Sequence, residues 1–284
     1  MQFPAAHGPI GVFDSGYGGL TILRQIRKLL PQMDYLYLGD NARAPYGTRS
    51  FEVVYDFTRQ AVQHLFHAGC PLVILACNTA SAKALRTIQQ QDLPLWDPMR
   101  RVLGVIRPTV ETLSGISQTG HVGIFATQGT IMSRTYDIEI EKLYGDRISV
   151  VGEACPMWVP LVENGESQSA GADYFVKQHV DRLLQRDDKI DTVVLGCTHY
   201  PLLEEKIRAV LPEGIRLVAQ GKFVAKSLAD YLHRHTEIAE HITRGGSVRY
   251  QTTESAHVFA QQASMFMGGP VSGAERVVID SPQV

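Results

Sequence analysis

Short apolar runs alternate along the chain with longer stretches whose apolar positions recur every three or four residues. The short runs predict strands at Ile10 to Phe13, Tyr35 to Leu38, Val73 to Ala76, Val102 to Val105, Val122 to Phe125, Ile148 to Val151, Thr192 to Gly196 and Ile215 to Val218. The longer stretches predict helices over Leu20 to Leu30, Phe51 to Ala68, Ala172 to Leu184 and Leu203 to Leu211. Strands this rich in Val, Ile and Leu are buried on both faces, so the alternation predicts an α/β fold of mainly parallel sheets covered by helices. A shorter tail predicts a strand at Ser247 to Thr252, a helix around Ser255 to Met267 and a strand near Val277, packed back on the first part of the chain.

The pattern also repeats. Ile10-Gly-Val-Phe-Asp-Ser-Gly-Tyr-Gly-Gly matches Val122-Gly-Ile-Phe-Ala-Thr-Gln-Gly-Thr-Ile, and Tyr35-Leu-Tyr-Leu-Gly-Asp matches Ser149-Val-Val-Gly-Glu, with Asp40 falling on Glu153. Leu72-Val-Ile-Leu-Ala-Cys-Asn-Thr matches Thr192-Val-Val-Leu-Gly-Cys-Thr-His. Three matches in the same order at nearly constant offset predict two similar α/β units related by a pseudo-twofold, with a cleft between them. Glycine and proline punctuation near Leu103 to Pro108 and near Ala219 to Lys222 divides the chain into residues 1–107 plus 219–284 and residues 108–218.

Composition fits this picture and narrows the function. The 284 residues are 44% hydrophobic and 20% charged, enough apolar material for two sizeable cores. Lys and Arg number 27 against 29 Asp and Glu, and no Lys/Arg run occurs, so a nucleic-acid partner is not expected. Apolar stretches such as Pro71 to Cys77 are far short of the roughly 20 residues that span a bilayer. Met1 to Pro9 lacks the pattern of a signal peptide. The expectation is a cytoplasmic protein with no membrane association.

In open parallel sheets, ligands bind outside the carboxyl ends of the strands. Asp14-Ser15-Gly16-Tyr17-Gly18-Gly19 and Thr127-Gln128-Gly129-Thr130 both follow a strand and precede a helix, where backbone N–H groups receive anions. Neither is a dinucleotide or P-loop site: the third glycine of GxGxxG is replaced by Thr21, and no GxxxxGK[ST] occurs. The four cysteines, at 70, 77, 155 and 197, show no CxxC or metal-ligand spacing and read as free thiols. Cys70 and Cys155 read as core. Cys77 and Cys197 end equivalent strands, each before a polar pair, Asn78-Thr79 and Thr198-His199. A helix N-terminus lowers a thiol pKa, so both are expected to be activated. Facing each other across a cleft, two thiols can remove a proton from one face of a carbon and return one to the other, which inverts a stereocentre. Asp14, Glu153 and His199 are the candidates for tuning them.

At these residues the chain resembles the glutamate racemases of the aspartate/glutamate racemase family. The blocks that carry the resemblance are Gly11-Val-Phe-Asp-Ser-Gly-Tyr-Gly-Gly-Leu, Gly39-Asp-Asn-Ala-Arg-Ala-Pro-Tyr-Gly, Ala76-Cys-Asn-Thr-Ala-Ser-Ala, Ala154-Cys-Pro with Pro160-Leu-Val-Glu-Asn-Gly, and Leu195-Gly-Cys-Thr-His-Tyr-Pro-Leu-Leu. They run from about residue 9 to at least 212. The resemblance implies cofactor-independent interconversion of L- and D-glutamate, supplying D-glutamate for peptidoglycan, with no metal. It implies Cys77 and Cys197 as the acid–base pair, assisted by Asp14, Glu153 and His199. Asp14, Ser15, Tyr46, Gly47, Asn78, Thr79, Thr127, Thr130, Thr198 and His199 would hold the substrate. A homodimer is a further implication. The chain departs from the family at Ala219-Gln220-Gly221-Lys222, where relatives usually carry an acidic-Ser pair, which leaves the role of that loop open without touching the central site. The short leader before Ile10 predicts no activation by a cell-wall precursor. Aspartate racemase, another two-cysteine isomerase, a catalytically silent regulatory relative and a thiol redox protein are the alternatives.

Overall fold

In the computed structural model, which describes residues 3–279, the predicted strands lie close to their expected positions. They are β1 (Ile10–Asp14), β2 (Tyr35–Gly39), β3 (Leu72–Leu75), β4 (Arg101–Gly104), β5 (His121–Ala126), β6 (Ser149–Ala154), β7 (Thr192–Gly196), β8 (Arg216–Ala219), β9 (Val248–Thr252) and β10 (Ala274–Arg276). Two sheets result, ordered β10-β9-β2-β1-β3-β4 and β6-β5-β7-β8, and every pairing is parallel. The order β2-β1-β3-β4 is thus repeated as β6-β5-β7-β8, as the matched segments require. The tail adds β9 and β10 to the outer edge of β2.

Central strands are covered on both sides: every residue of β1, β2, β3 and β7 is buried. That is why they carry continuous apolar runs rather than alternation. Some helices start where a side chain can accept an otherwise orphaned N–H. Ser50 accepts from Val53 N–H ahead of helix Phe51–His67, and Ser169 from Ala172 N–H ahead of helix Ala170–Arg186. One helix not foreseen in the pattern, Gly221–Arg234, buries Val224, Ala225, Leu228 and Leu232 and packs against helix Leu20–Leu29 of the first half.

The chain passes between the halves twice. It leaves the first sheet after β4 through helices Ile106–Val110 and Leu113–Ile116 to β5, and it returns after β8 through Gln220. All strand C-termini that carry the repeated motifs therefore open toward the space between the two sheets. Among the described residues, no helix is long and apolar enough to cross a membrane.

Candidate active site

Each half contributes three strand ends: β1, β2 and β3 from the first, and β5, β6 and β7 from the second. Cys77 follows β3 and caps helix Asn78–Lys83, its Sγ accepting the Ala80 N–H at 3.4 Å. Ser15 Oγ lies 3.5 Å from the same sulfur. The thiol is 6% exposed. Burial pushes it up to about 12, the Asp14 charge adds to this, and the Ser15 hydroxyl and Ala80 N–H offset it only in part. The expected lowering at Cys77 is thus overturned, because desolvation of a thiolate outweighs the dipole of a helix this short.

Cys197 follows β7 and has a different neighbour. His199 Nδ1 lies 3.9 Å from Cys197 Sγ, and His199 Nε2 donates to Glu163 Oε1 at 2.9 Å. Burial works against the imidazolium, yet the hydrogen bonds and charges of Cys197 and Glu163 lift His199 to about 10. The two thiols are close enough that charge on Cys197 also pushes Cys77 up.

Asp14, at the end of β1, is 1% exposed. Its Oδ2 accepts the Gly16 N–H at 2.9 Å, whereas Oδ1 is buried with no protein partner. Burial raises its pKa, while the neighbouring His199 and the N–H groups of Gly16 and Gly19 pull it down. A buried carboxylate oxygen left open in this way is suited to a cationic ligand group.

Other expected residues meet from both sides. The Thr79 hydroxyl lies 2.9 Å from that of Thr127 and 3.4 Å from that of Thr130, joining the halves. Gly129 N–H donates to Gly47 C=O at 2.8 Å. The Tyr46 hydroxyl is committed to Asp40, so its backbone and that of Gly47 are what the segment can offer a ligand. Thr198 C=O accepts the Thr21 hydroxyl at 3.0 Å, and a Cβ at Gly18 would run into the side chains of Thr198 and His199. Glycine is required at position 18 by that approach.

Glu153 is the exception. Its carboxylate is taken by His179 Nδ1 at 2.7 Å and by Arg186, much as its repeat counterpart Asp40 is taken by Tyr46, Arg43 and Thr253. β6 is separated from β7 by β5, and two strand spacings of about 4.8 Å keep Glu153 away from the Cys197 end. The carboxylate on His199 belongs to Glu163, the last residue of helix Trp158–Glu163. Trp158 locks that helix in place, packed 4.8 Å from the Tyr200 ring and 4.9 Å from Phe125. The Pro160-Leu-Val-Glu block carries the sequence signal for Glu163.

The sequence also gave no hint of two supports. Phe266 of the tail helix Ala256–Met267 packs edge-on against His199 at 5.2 Å. Gln220, in the loop that departs from the family, is buried against Asn78. Cys70 and Cys155 are buried core thiols, Cys70 being pushed up to about 12 by burial. Among the described residues, no cluster of three His, Cys, Asp or Glu could hold a metal ion.

The Asp/Glu/hydantoin racemase family profile matches residues 10–228. A glutamate racemase from Ruegeria sp. (strain TM1040) is 41% identical over 270 residues, covering 91% of this chain and 96% of that protein. The crystal structure of a glutamate racemase isoform from Bacillus anthracis superposes with a TM-score of 0.86 at 34% identity, covering 96% of this chain and 98% of that one. The glutamate racemase from Francisella tularensis, solved in complex with D-glutamate, gives 0.85 at 30% identity, with 97% and 99% covered.

Proposed function

The chain belongs to the Asp/Glu/hydantoin racemase family, and from that premise we propose that it is a glutamate racemase working without a cofactor through Cys77 and Cys197. One observation carries the reading. Two thiols end equivalent strands of a repeated unit, and each has its own polar company: Asp14 and Ser15 on one side, His199 and Glu163 on the other. The proposed units are residues 1–107 plus 219–284 and residues 108–218.

The substrate's ammonium group would meet the open Oδ1 of Asp14, and its carboxylates the hydroxyls of Thr79, Thr127, Thr130 and Thr198 and the amide of Asn78. One thiolate takes the α-proton and becomes a thiol, while the opposite thiol gives its proton to the other face and becomes a thiolate. Protonation states are then exchanged, and the same pair serves the reverse reaction. At neutral pH Cys77 holds its proton, since burial pushes it up to about 12, so it is the donor in the resting state. His199, protonated and next to Cys197, exchanges protons with that sulfur and is held in orientation by Glu163. The α-proton of an amino acid is scarcely acidic, and the roughly 8–23 kcal/mol by which enzymes lower barriers must come from donors fixed around the developing charge.

D-Glutamate made in this way would serve peptidoglycan synthesis, with the cytoplasm as the setting and a homodimer as the assembly. The test is proton NMR of the protein with L-glutamate in D₂O and no added cofactor, alongside optical rotation and an L-aspartate control. Loss of the glutamate α-proton signal with rotation decaying to zero is expected. Exchange of aspartate alone would move the substrate to the shorter dicarboxylate, and no exchange of either from folded, reduced protein would overturn the reading.

A further inference from the structure

The loop that departs from the family closes a ring of hydrogen bonds behind the site. Gln220 Oε1 accepts from Asn78 Nδ2 at 2.8 Å, Gln220 Nε2 donates to the Tyr136 hydroxyl at 2.9 Å, and that hydroxyl donates to Asn78 Oδ1 at 3.0 Å. All three side chains are buried. The direction of the ring is fixed by an outside group. Gln220 Nε2 also lies 3.2 Å from the Val105 carbonyl, which can only accept, and 3.1 Å from Thr109 Oγ1. The NH₂ of Gln220 therefore faces Val105, its oxygen faces Asn78, and Asn78 must answer with its own NH₂. Tyr136 is then left to donate to Asn78 Oδ1.

We propose that Gln220 is a positioning residue: with Tyr136 it fixes the amide of Asn78 so that the remaining Nδ2–H is offered to a substrate carboxylate. Asn78 directly follows Cys77, so a rotated amide would set an acceptor where the substrate anion needs a donor. The ring takes Asn78 from the first half, Tyr136 from the second and Gln220 from the returning connection, and it is complete only when all three meet. This inference rests on the glutamate racemase reading.

The experiment uses Gln220→Leu, Tyr136→Phe and Asn78→Ala, singly and in pairs with Asn78→Ala, with kcat and KM measured for both enantiomers. Leaving buried polar groups unpaired typically costs about 10- to 100-fold, so Gln220→Leu should lower kcat/KM by that factor, with KM raised for both enantiomers. In the Asn78→Ala background the same change should cost less than about 3-fold, since its target is gone. Gln220→Glu keeps the acceptor for Asn78 but sets a second oxygen against the Val105 carbonyl, so it should not recover the loss. Additive losses, or a Gln220→Leu protein with wild-type KM, would overturn the proposal. A readout independent of turnover is the Asn78 side-chain amide in ¹⁵N spectra. Slow hydrogen exchange is expected in the wild type and fast exchange in Gln220→Leu, and equal rates would overturn the ring. Wild-type protein inactive on glutamate but with the protected amide would defeat the racemase reading and leave the ring standing.

Discussion

Cys77 and Cys197 occupy equivalent positions of a repeated unit, yet their surroundings have diverged. Cys77 is managed by a carboxylate, a hydroxyl and a backbone N–H, and is held as a thiol. Cys197 has an imidazole in place of these, itself backed by Glu163. A symmetric framework supplies two facing thiols; under the proposed function, the side chains added to it would make one face the keeper of a proton and the other an exchanger. The two strand-end carboxylates, Asp40 and Glu153, diverged far less. Both were absorbed into structural networks.

The sharpest way to break this comparison is to remove each sulfur in turn. Cys77→Ser and Cys197→Ser should each lose racemisation by at least about 10³-fold, because a serine hydroxyl is a far weaker base than a thiolate. The remaining thiol should still exchange the α-proton of one enantiomer, and the two variants should keep opposite enantiomers. Deuterium uptake followed by NMR checks this, and retention of the same enantiomer by both would end the two-face account.

Next in size is the support of Cys197. His199→Asn should lower kcat by about 10²-fold and Glu163→Gln by about 10-fold, in keeping with the usual worth of positioned acid–base groups. Glu153→Gln should leave kcat within about 3-fold while costing about 1–3 kcal/mol of stability, since it weakens the bonds of buried His179. Comparable kinetic losses from Glu153→Gln would restore it to the site.

The imidazole also predicts a pH signature. His199 sits at about 10 against an ordinary 6.5, so its proton is held more tightly in the folded protein. Its contribution to stability is complete below about pH 6.5 and is lost as pH rises through about 10. The melting-temperature gap between wild type and His199→Asn should therefore narrow from pH 6 toward pH 10. A gap independent of pH would mean that the ring is held for packing alone. In the same spirit, Cys77, pushed up to about 12, should react with iodoacetamide at pH 7.5 more slowly in the folded protein than in the unfolded one, as peptide mapping would show.

Much of this was legible in the residues. Buried parallel strands announce themselves by continuous Val, Ile and Leu, and the matched segments predict two similar units, which the structure shows as the shared orders β2-β1-β3-β4 and β6-β5-β7-β8. Cys77 and Cys197 emerged because their neighbours repeat too. Glu163 did not, because it lies at no strand end and arrives from the far end of a helix that Trp158 clamps onto the turn after His199. Gln220 was missed for the opposite reason. The broken motif leaves its role open, and its partners Tyr136 and Asn78 lie 84 and 142 residues away and meet it only through the fold. The sign of the Cys77 shift was wrong because its depth of burial cannot be read from a cap position.

The two passages of chain between the halves have a mechanical consequence. Gln220 Nε2 lies 3.2 Å from the Val105 carbonyl and 3.1 Å from Thr109 Oγ1, so the two passages run side by side as one doubled strap. Under the proposed function, a doubled strap would hold the two sulfurs in opposition more firmly than a single tether.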